Sequence, residues 1–99
     1  MIPGATSTQV YTVAIAESDI ERFRITYKHD KELILRKTSD ECKMEGQKIV
    51  CNLSQQDTLK FINTRNARVQ IKFLRKDGNV VYTKIFSIAI GETLDVEVI

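Results

Sequence analysis

Few side chains in this 99-residue sequence are of the types that do chemistry, and their number limits what they can do. Cys42 and Cys51 are its cysteines and His29 its histidine. Two cysteines suggest a redox pair or half of a metal site. Tetrahedral zinc needs four ligands, and one histidine with two cysteines falls short. Two thiols kept reduced in a core are the plainer reading, with a disulfide as the alternative. His29 sits beside Asp30 in a polar stretch, and no Gly-x-Ser-x-Gly or Cys–His pattern supplies it with a nucleophile. It reads as an exposed turn residue. Asn52-Leu53-Ser54 matches a glycosylation sequon, but a strand end followed by a helix cap accounts for the same three residues. The glycines at 4, 46, 78 and 91 are isolated, so no phosphate-cradling loop is present. No catalytic, cofactor-binding or metal-ligating set emerges, and no cofactor is expected.

The basic residues offer more. Arg22, Arg24 and Lys28 share one face of a strand, as do Arg68 and Lys72. A phosphate-binding stripe is the functional reading. The plainer one is the wet face of a sheet, relieved by Asp19, Glu21, Asp30, Glu32 and Asp77. Nucleic-acid platforms interleave exposed aromatics with their cations, whereas Phe23, Tyr27 and Phe73 alternate onto the opposite face. The solvated face is therefore preferred, with a small nucleic-acid-binding β module kept as the alternative function.

The elements that position these residues are mostly strands. Thr8 to Ile15 is rich in β-formers. From Ile20 to Lys28, Phe23, Ile25 and Tyr27 alternate with Arg22, Arg24 and Lys28, the period of two that gives one buried and one wet face. A third strand follows from Leu33 to Lys37. Gly46-Gln47 reads as a two-residue type II′ loop, which places Glu45 opposite Lys48, Met44 opposite Ile49 and Cys42 opposite Cys51. Ser54 with Asp57 forms a weak capping box and starts a short helical turn near residues 54–61 that carries Leu59 to the core. Arg68 to Phe73 alternates again and meets a turn at Asp77-Gly78-Asn79.

Two registers for that last hairpin remain open. A two-residue loop pairs Phe73 with Tyr82, and a three-residue loop with a bulge pairs Phe73 with Thr83. In the bulged register Leu74, Tyr82 and Phe86 share a face with Lys72 and Lys84, a candidate subunit contact. After Gly91 comes an acidic and apolar tail with Leu94, Val96, Val98 and Ile99.

Turns about every ten residues and six or seven hairpin-ordered strands suggest a sandwich or small barrel in a single domain, residues 1–99. The composition, 42% hydrophobic and 28% charged, is that of a globular chain. A net charge of +2 with acids and bases interspersed does not by itself point to a nucleic acid or membrane. No apolar run approaches the roughly 18 residues of a membrane span, and the start lacks the basic and apolar regions of a signal peptide. A chain that folds in the cytoplasm of its producer is expected.

The stretch from Asn52 to Phe61, then Arg68-Val69-Gln70-Ile71-Lys72 and Asp77-Gly78-Asn79-Val80, resembles small phage and prophage proteins of low-GC Gram-positive bacteria. Thr8 to Val13 and Val96 to Ile99 extend the likeness over most of the chain. It is similar, more distantly, to the amino-terminal β-sandwich domain of phage baseplate upper proteins. The resemblance implies an immunoglobulin-like sandwich, incorporation into a virion, and a non-enzymatic structural role in a tail or baseplate. The implied partners are other phage structural subunits or further copies of the chain. It carries over no functional residues. The candidate contacts are Leu74, Tyr82 and Phe86, together with the tail residues Leu94, Val96, Val98 and Ile99.

Overall fold

The computed structural model describes all residues, Met1–Ile99. The strands are β1 (Ser7–Thr12), β2 (Ile20–His29), β3 (Glu32–Thr38), β4 (Cys42–Glu45), β5 (Lys48–Leu53), β6 (Asn66–Arg75), β7 (Val80–Tyr82) and β8 (Phe86–Ala89). One helix, α1 (Gln55–Leu59), lies between β5 and β6. They form two antiparallel sheets, β1-β5-β4 and β3-β2-β6-β7, with β8 continuing along β6 beyond β7. Because β7 and β8 are two halves of one interrupted return strand, they occupy seven strand positions. An immunoglobulin domain sets strands A-B-E-D against C′-C-F-G. The order here is B-E-D against C′-C-F-G, with β7 and β8 sharing the G position. The fold is an all-β, immunoglobulin-like sandwich.

Alternation decides what each strand buries. In β2, Phe23, Ile25 and Tyr27 point into the sandwich, and in β6 Ala67, Val69, Ile71 and Phe73 do the same. They meet Tyr11, Ile49, Cys51 and Leu53 from the other sheet, and Val13 just beyond β1, in one core. Val, Ile and aromatic residues suit this geometry because stiff, branched side chains pack well on a pleated surface.

The β4–β5 hairpin has the register that the Gly46-Gln47 loop implies: Glu45 opposite Lys48, Met44 opposite Ile49, Lys43 opposite Val50 and Cys42 opposite Cys51. Gly46 takes φ +58°, the positive value this loop position needs. The capping box also forms. Ser54 Oγ accepts from the Asp57 N–H at 3.1 Å, and Asp57 Oδ2 accepts from the Ser54 N–H at 3.0 Å.

Other expectations need correction. The first strand ends at Thr12, short of Ile15. It is Phe61, more than Leu59, that reaches the core beyond α1. The Phe61 N–H bonds the Thr58 carbonyl in a tightened turn, which drops the ring edge-on against Tyr27 with centroids 5.5 Å apart. Thr58 is fully buried; its hydroxyl accepts from the Gly4 N–H and donates to the Ala5 carbonyl, both at 2.9 Å.

The last hairpin follows neither expected register. Phe73 pairs with Val81 and Lys72 with Tyr82. The loop is Lys76-Asp77-Gly78, so Gly78 stands third, at φ +89°, where a three-residue hairpin loop requires a left-handed residue. Gly78 N–H bonds the Arg75 carbonyl and Arg75 N–H bonds the Asn79 carbonyl. Beyond Tyr82 the return strand bulges. Val69 pairs with Phe86, one residue out of step with the Lys72–Tyr82 pair, and that step swaps faces. Tyr82 therefore points outward, whereas Phe86 turns inward against the Tyr11 ring at 5.4 Å. The two do not share a face.

Candidate interaction surfaces

Two surfaces stand out. The first is the outer face of the larger sheet. On it, Arg24 of β2 sits opposite Lys72 of β6, Thr26 opposite Gln70 and Lys28 opposite Arg68; Arg36 of β3 faces Thr26 from the other side. Directly opposed like charges on neighbouring strands are unfavourable, and this ladder has two such rungs. The acids expected to relieve them do not. The ion pairs of the chain are His29–Asp30, Lys37–Glu41, Lys37–Asp57 and Arg75–Asp77, and none includes Arg22, Arg24, Lys28, Arg36, Arg68 or Lys72. Five of these, all but Arg22, line a shallow hollow of about 470 Å³ with Lys31, and Asp30 is its single acid. Arg22 lies beside it in an adjoining depression with Leu74. Tyr82 forms part of the rim, 58% exposed, with Lys72 Nζ 5.4 Å from its ring centroid. The bulge just beyond it is tied down by Thr83, whose Oγ1 accepts from the Ile71 N–H at 3.0 Å and whose carbonyl accepts from Gln70 Nε2 at 3.0 Å.

The second surface is the open side of the smaller sheet, where no strand lies beyond β1. Val13 N–H bonds the Gln47 carbonyl at 2.8 Å. The two-residue alternation of an antiparallel ladder then directs the N–H and C=O groups of Thr8, Val10 and Thr12 away from β5. Beside this edge a slot of about 380 Å³ opens between β1 and the β7–β8 bulge, lined by Val10, Tyr11, Val13, Ile71 and Phe86, with Lys84 as its charged member. The tail from Thr93 to Ile99 forms no strand. Leu94, Val96, Val98 and Ile99 each expose at least half their surface.

The groups with chemical potential are buried or partly covered. Cys42 and Cys51 face one another as free thiols. The nearness of the two thiols raises Cys42, with burial adding to it, and lowers Cys51, so the two titrate as a pair. Cys51 has no exposed surface, and a thiol that no reactant can reach is inert. The Tyr11 and Tyr27 hydroxyls bond each other at 2.8 Å across the sandwich. Burial pushes Tyr11 up to about 12 and Tyr27 further up, so both stay protonated at neutral pH. His29 ends β2 half-buried, with Nδ1 3.2 Å from the Asn66 carbonyl oxygen. No cluster of three His, Cys, Asp or Glu side chains is placed to hold a metal ion. No helix is long and apolar enough to cross a membrane.

Of the basic residues singled out in the sequence, Arg24, Lys28, Arg68 and Lys72 do come together, and Arg22 lies next to them. Sequence reasoning missed Arg36 and Lys31, which complete the hollow; the alternation around Leu35 places Arg36 on the outer face. It also missed Lys37, which reaches from β3 to Asp57 on α1 at 2.9 Å. Burial alone would lower the Lys37 amine, but Asp57 and Glu41 outweigh it and hold it above its ordinary value. Burial likewise opposes the Asp57 charge, and Lys37 with the Ser54 N–H prevails and lowers it.

No family model, curated protein or solved structure matches this chain.

Proposed function

We propose that this chain is a non-enzymatic structural subunit that works through protein–protein contacts. Its setting on this reading is a phage or prophage tail or baseplate. The observation that carries the proposal is the edge of β1. Proteins that stay monomeric blunt their sheet edges with charges, bulges or short strands. β1 reads Ser-Thr-Gln-Val-Tyr-Thr, with no charge and no proline, and its free backbone groups border an apolar slot.

An extended segment with apolar residues at alternate positions fits such a slot, because it adds backbone hydrogen bonds along the edge while every second side chain drops into the groove. This chain carries that alternation in Leu94-Asp95-Val96-Glu97-Val98, exposed and outside both sheets. The proposed contact is the tail of one copy laid along β1 of the next, with the acids Asp95 and Glu97 turned away from the groove. Lys84, the charged member of the slot, attracts the acidic tail only at longer range, within a screening length of roughly 10 Å. The phage setting rests on the resemblance of Asn52–Phe61, Arg68–Lys72 and Asp77–Val80 to small phage structural proteins.

Light scattering over a range of concentrations, with co-purification from virions or virion proteins, tests the proposal. Association that rises with concentration and is lost when Val96 and Val98 are replaced by Asp supports it. A strict monomer that fails to co-purify with virion proteins contradicts it.

A further inference from the structure

We infer that the basic hollow on the outer face of the β3-β2-β6-β7 sheet is a binding site for the phosphate backbone of single-stranded nucleic acid. This goes beyond the structural role proposed above and stands on a different surface. Its first support is the charge arrangement. The Arg24–Lys72 and Lys28–Arg68 rungs set like charges face to face across neighbouring strands, an arrangement that works against the sheet. Arg36 and Lys31 add to the same field. None of the six is neutralised by an acid within ion-pair distance. A chain with a net charge of only +2 has thus gathered six cations around one hollow with one acid. An anion bound there removes the repulsion that the free protein carries.

The second support is shape. The two charged rungs lie four residues apart along the strands, about 13 Å at the usual strand rise, with the neutral Thr26–Gln70 pair between them. One extended nucleic-acid strand crossing the hollow brings every second phosphate, about 13 Å apart, to separate rungs. The third is Tyr82. Its ring stands at the rim, more than half exposed, and offers the flat apolar surface on which an unpaired base stacks. A duplex keeps its bases stacked internally and makes no use of that ring.

Composition separates this ligand from an acidic protein. Protein–protein contact patches are depleted in lysine, whereas nucleic-acid interfaces are strongly positive and polar. Lys28, Lys31 and Lys72 all line this hollow.

The experiment is fluorescence anisotropy of a labelled thymidine oligonucleotide of about 12 nucleotides with the full chain. Saturable binding at low salt is expected, and log affinity falls against log salt with a slope of about −2 to −4, corresponding to three to six phosphates at roughly −0.7 each. Tyr82→Ala weakens binding by about 5- to 150-fold. Arg24→Glu with Arg68→Glu abolishes it while melting temperature and circular dichroism hold, because each new Glu faces a lysine. Lys43→Glu, on the other sheet, leaves binding unchanged. Three results overturn the inference: no binding at low salt, unaltered binding by the folded double variant, or equal competition from polyglutamate of matched charge. Any of these leaves the β1-edge proposal untouched, since that is read from self-association.

Discussion

The β1-β5-β4 sheet has two outer edges, and the chain treats them in opposite ways. β4 is four residues long and carries Lys43 and Glu45 outward. β1 is longer, uncharged, and leaves the backbone groups of Thr8, Val10 and Thr12 without partners. The larger sheet is guarded at both sides. β3 carries Glu32, Arg36 and Lys37, and its pairing with β2 is interrupted after Tyr27. The return strand is broken by the bulge between β7 and β8, and its lower half is covered by Met1, whose carbonyl accepts from the Gly91 N–H at 2.7 Å. Three edges thus carry devices that discourage strand addition, and one does not. An edge left open beside an apolar slot, in a chain whose exposed tail alternates apolar and acidic residues, is what the proposed contact would use.

The largest effect should come from what both edges of the smaller sheet share. Ile49 lies on the central strand with no exposed surface. Ile49→Ala is expected to cost about 2–5 kcal/mol in denaturant unfolding and to weaken both edges together. Val10→Lys gives β1 the guard β4 already has. It should raise the dissociation constant for self-association at least tenfold, about 1.4 kcal/mol, and leave the unfolding midpoint of the monomer almost unmoved.

The guarded edge of β3 can be loosened instead. Lys37 is mostly covered where it meets Asp57, and Lys37→Ala should cost about 1–2 kcal/mol. The loss depends on pH. The depressed Asp57 contributes stability above its ordinary value near 3.9 and loses it as pH falls through its folded value. The raised Lys37 contributes below about 10.4 and loses its share as pH climbs through its folded value. The gap between wild type and variant should therefore be constant at neutral pH and close at both extremes. The smallest effect is expected from Lys43→Val, which removes one guard from β4. Stability should change by about 0.5 kcal/mol or less, and aggregation on concentration should increase modestly.

Local chemistry was legible in the sequence where one residue type decides the outcome. Gly46 set the β4–β5 register and with it the facing of Cys42 and Cys51. Ser54 with Asp57 set the start of α1, and the alternation in β2 sorted its two faces. The last hairpin was not legible, because Asp77-Gly78 fits several loop lengths and the choice rests on where Gly78 falls among the contacts of β6. The later bulge depends on Thr83 bonding the Ile71 backbone, a tertiary contact without a local signature, and it alone separates Phe86 from Tyr82. The basic hollow was half legible. Arg24 with Lys28, and Arg68 with Lys72, could be paired on their own strands. That the two strands lie side by side, that Arg36 joins them, and that Asp30 is the one acid to reach the hollow are facts of topology.

The most direct measurement is amide hydrogen exchange at Thr8, Val10 and Thr12 as protein concentration is raised. These amides should exchange rapidly in dilute solution and become protected as copies associate, and the Val96→Asp, Val98→Asp variant should show no such protection. Exchange at all three that stays fast at every concentration, while the protein associates, would contradict a role for this edge.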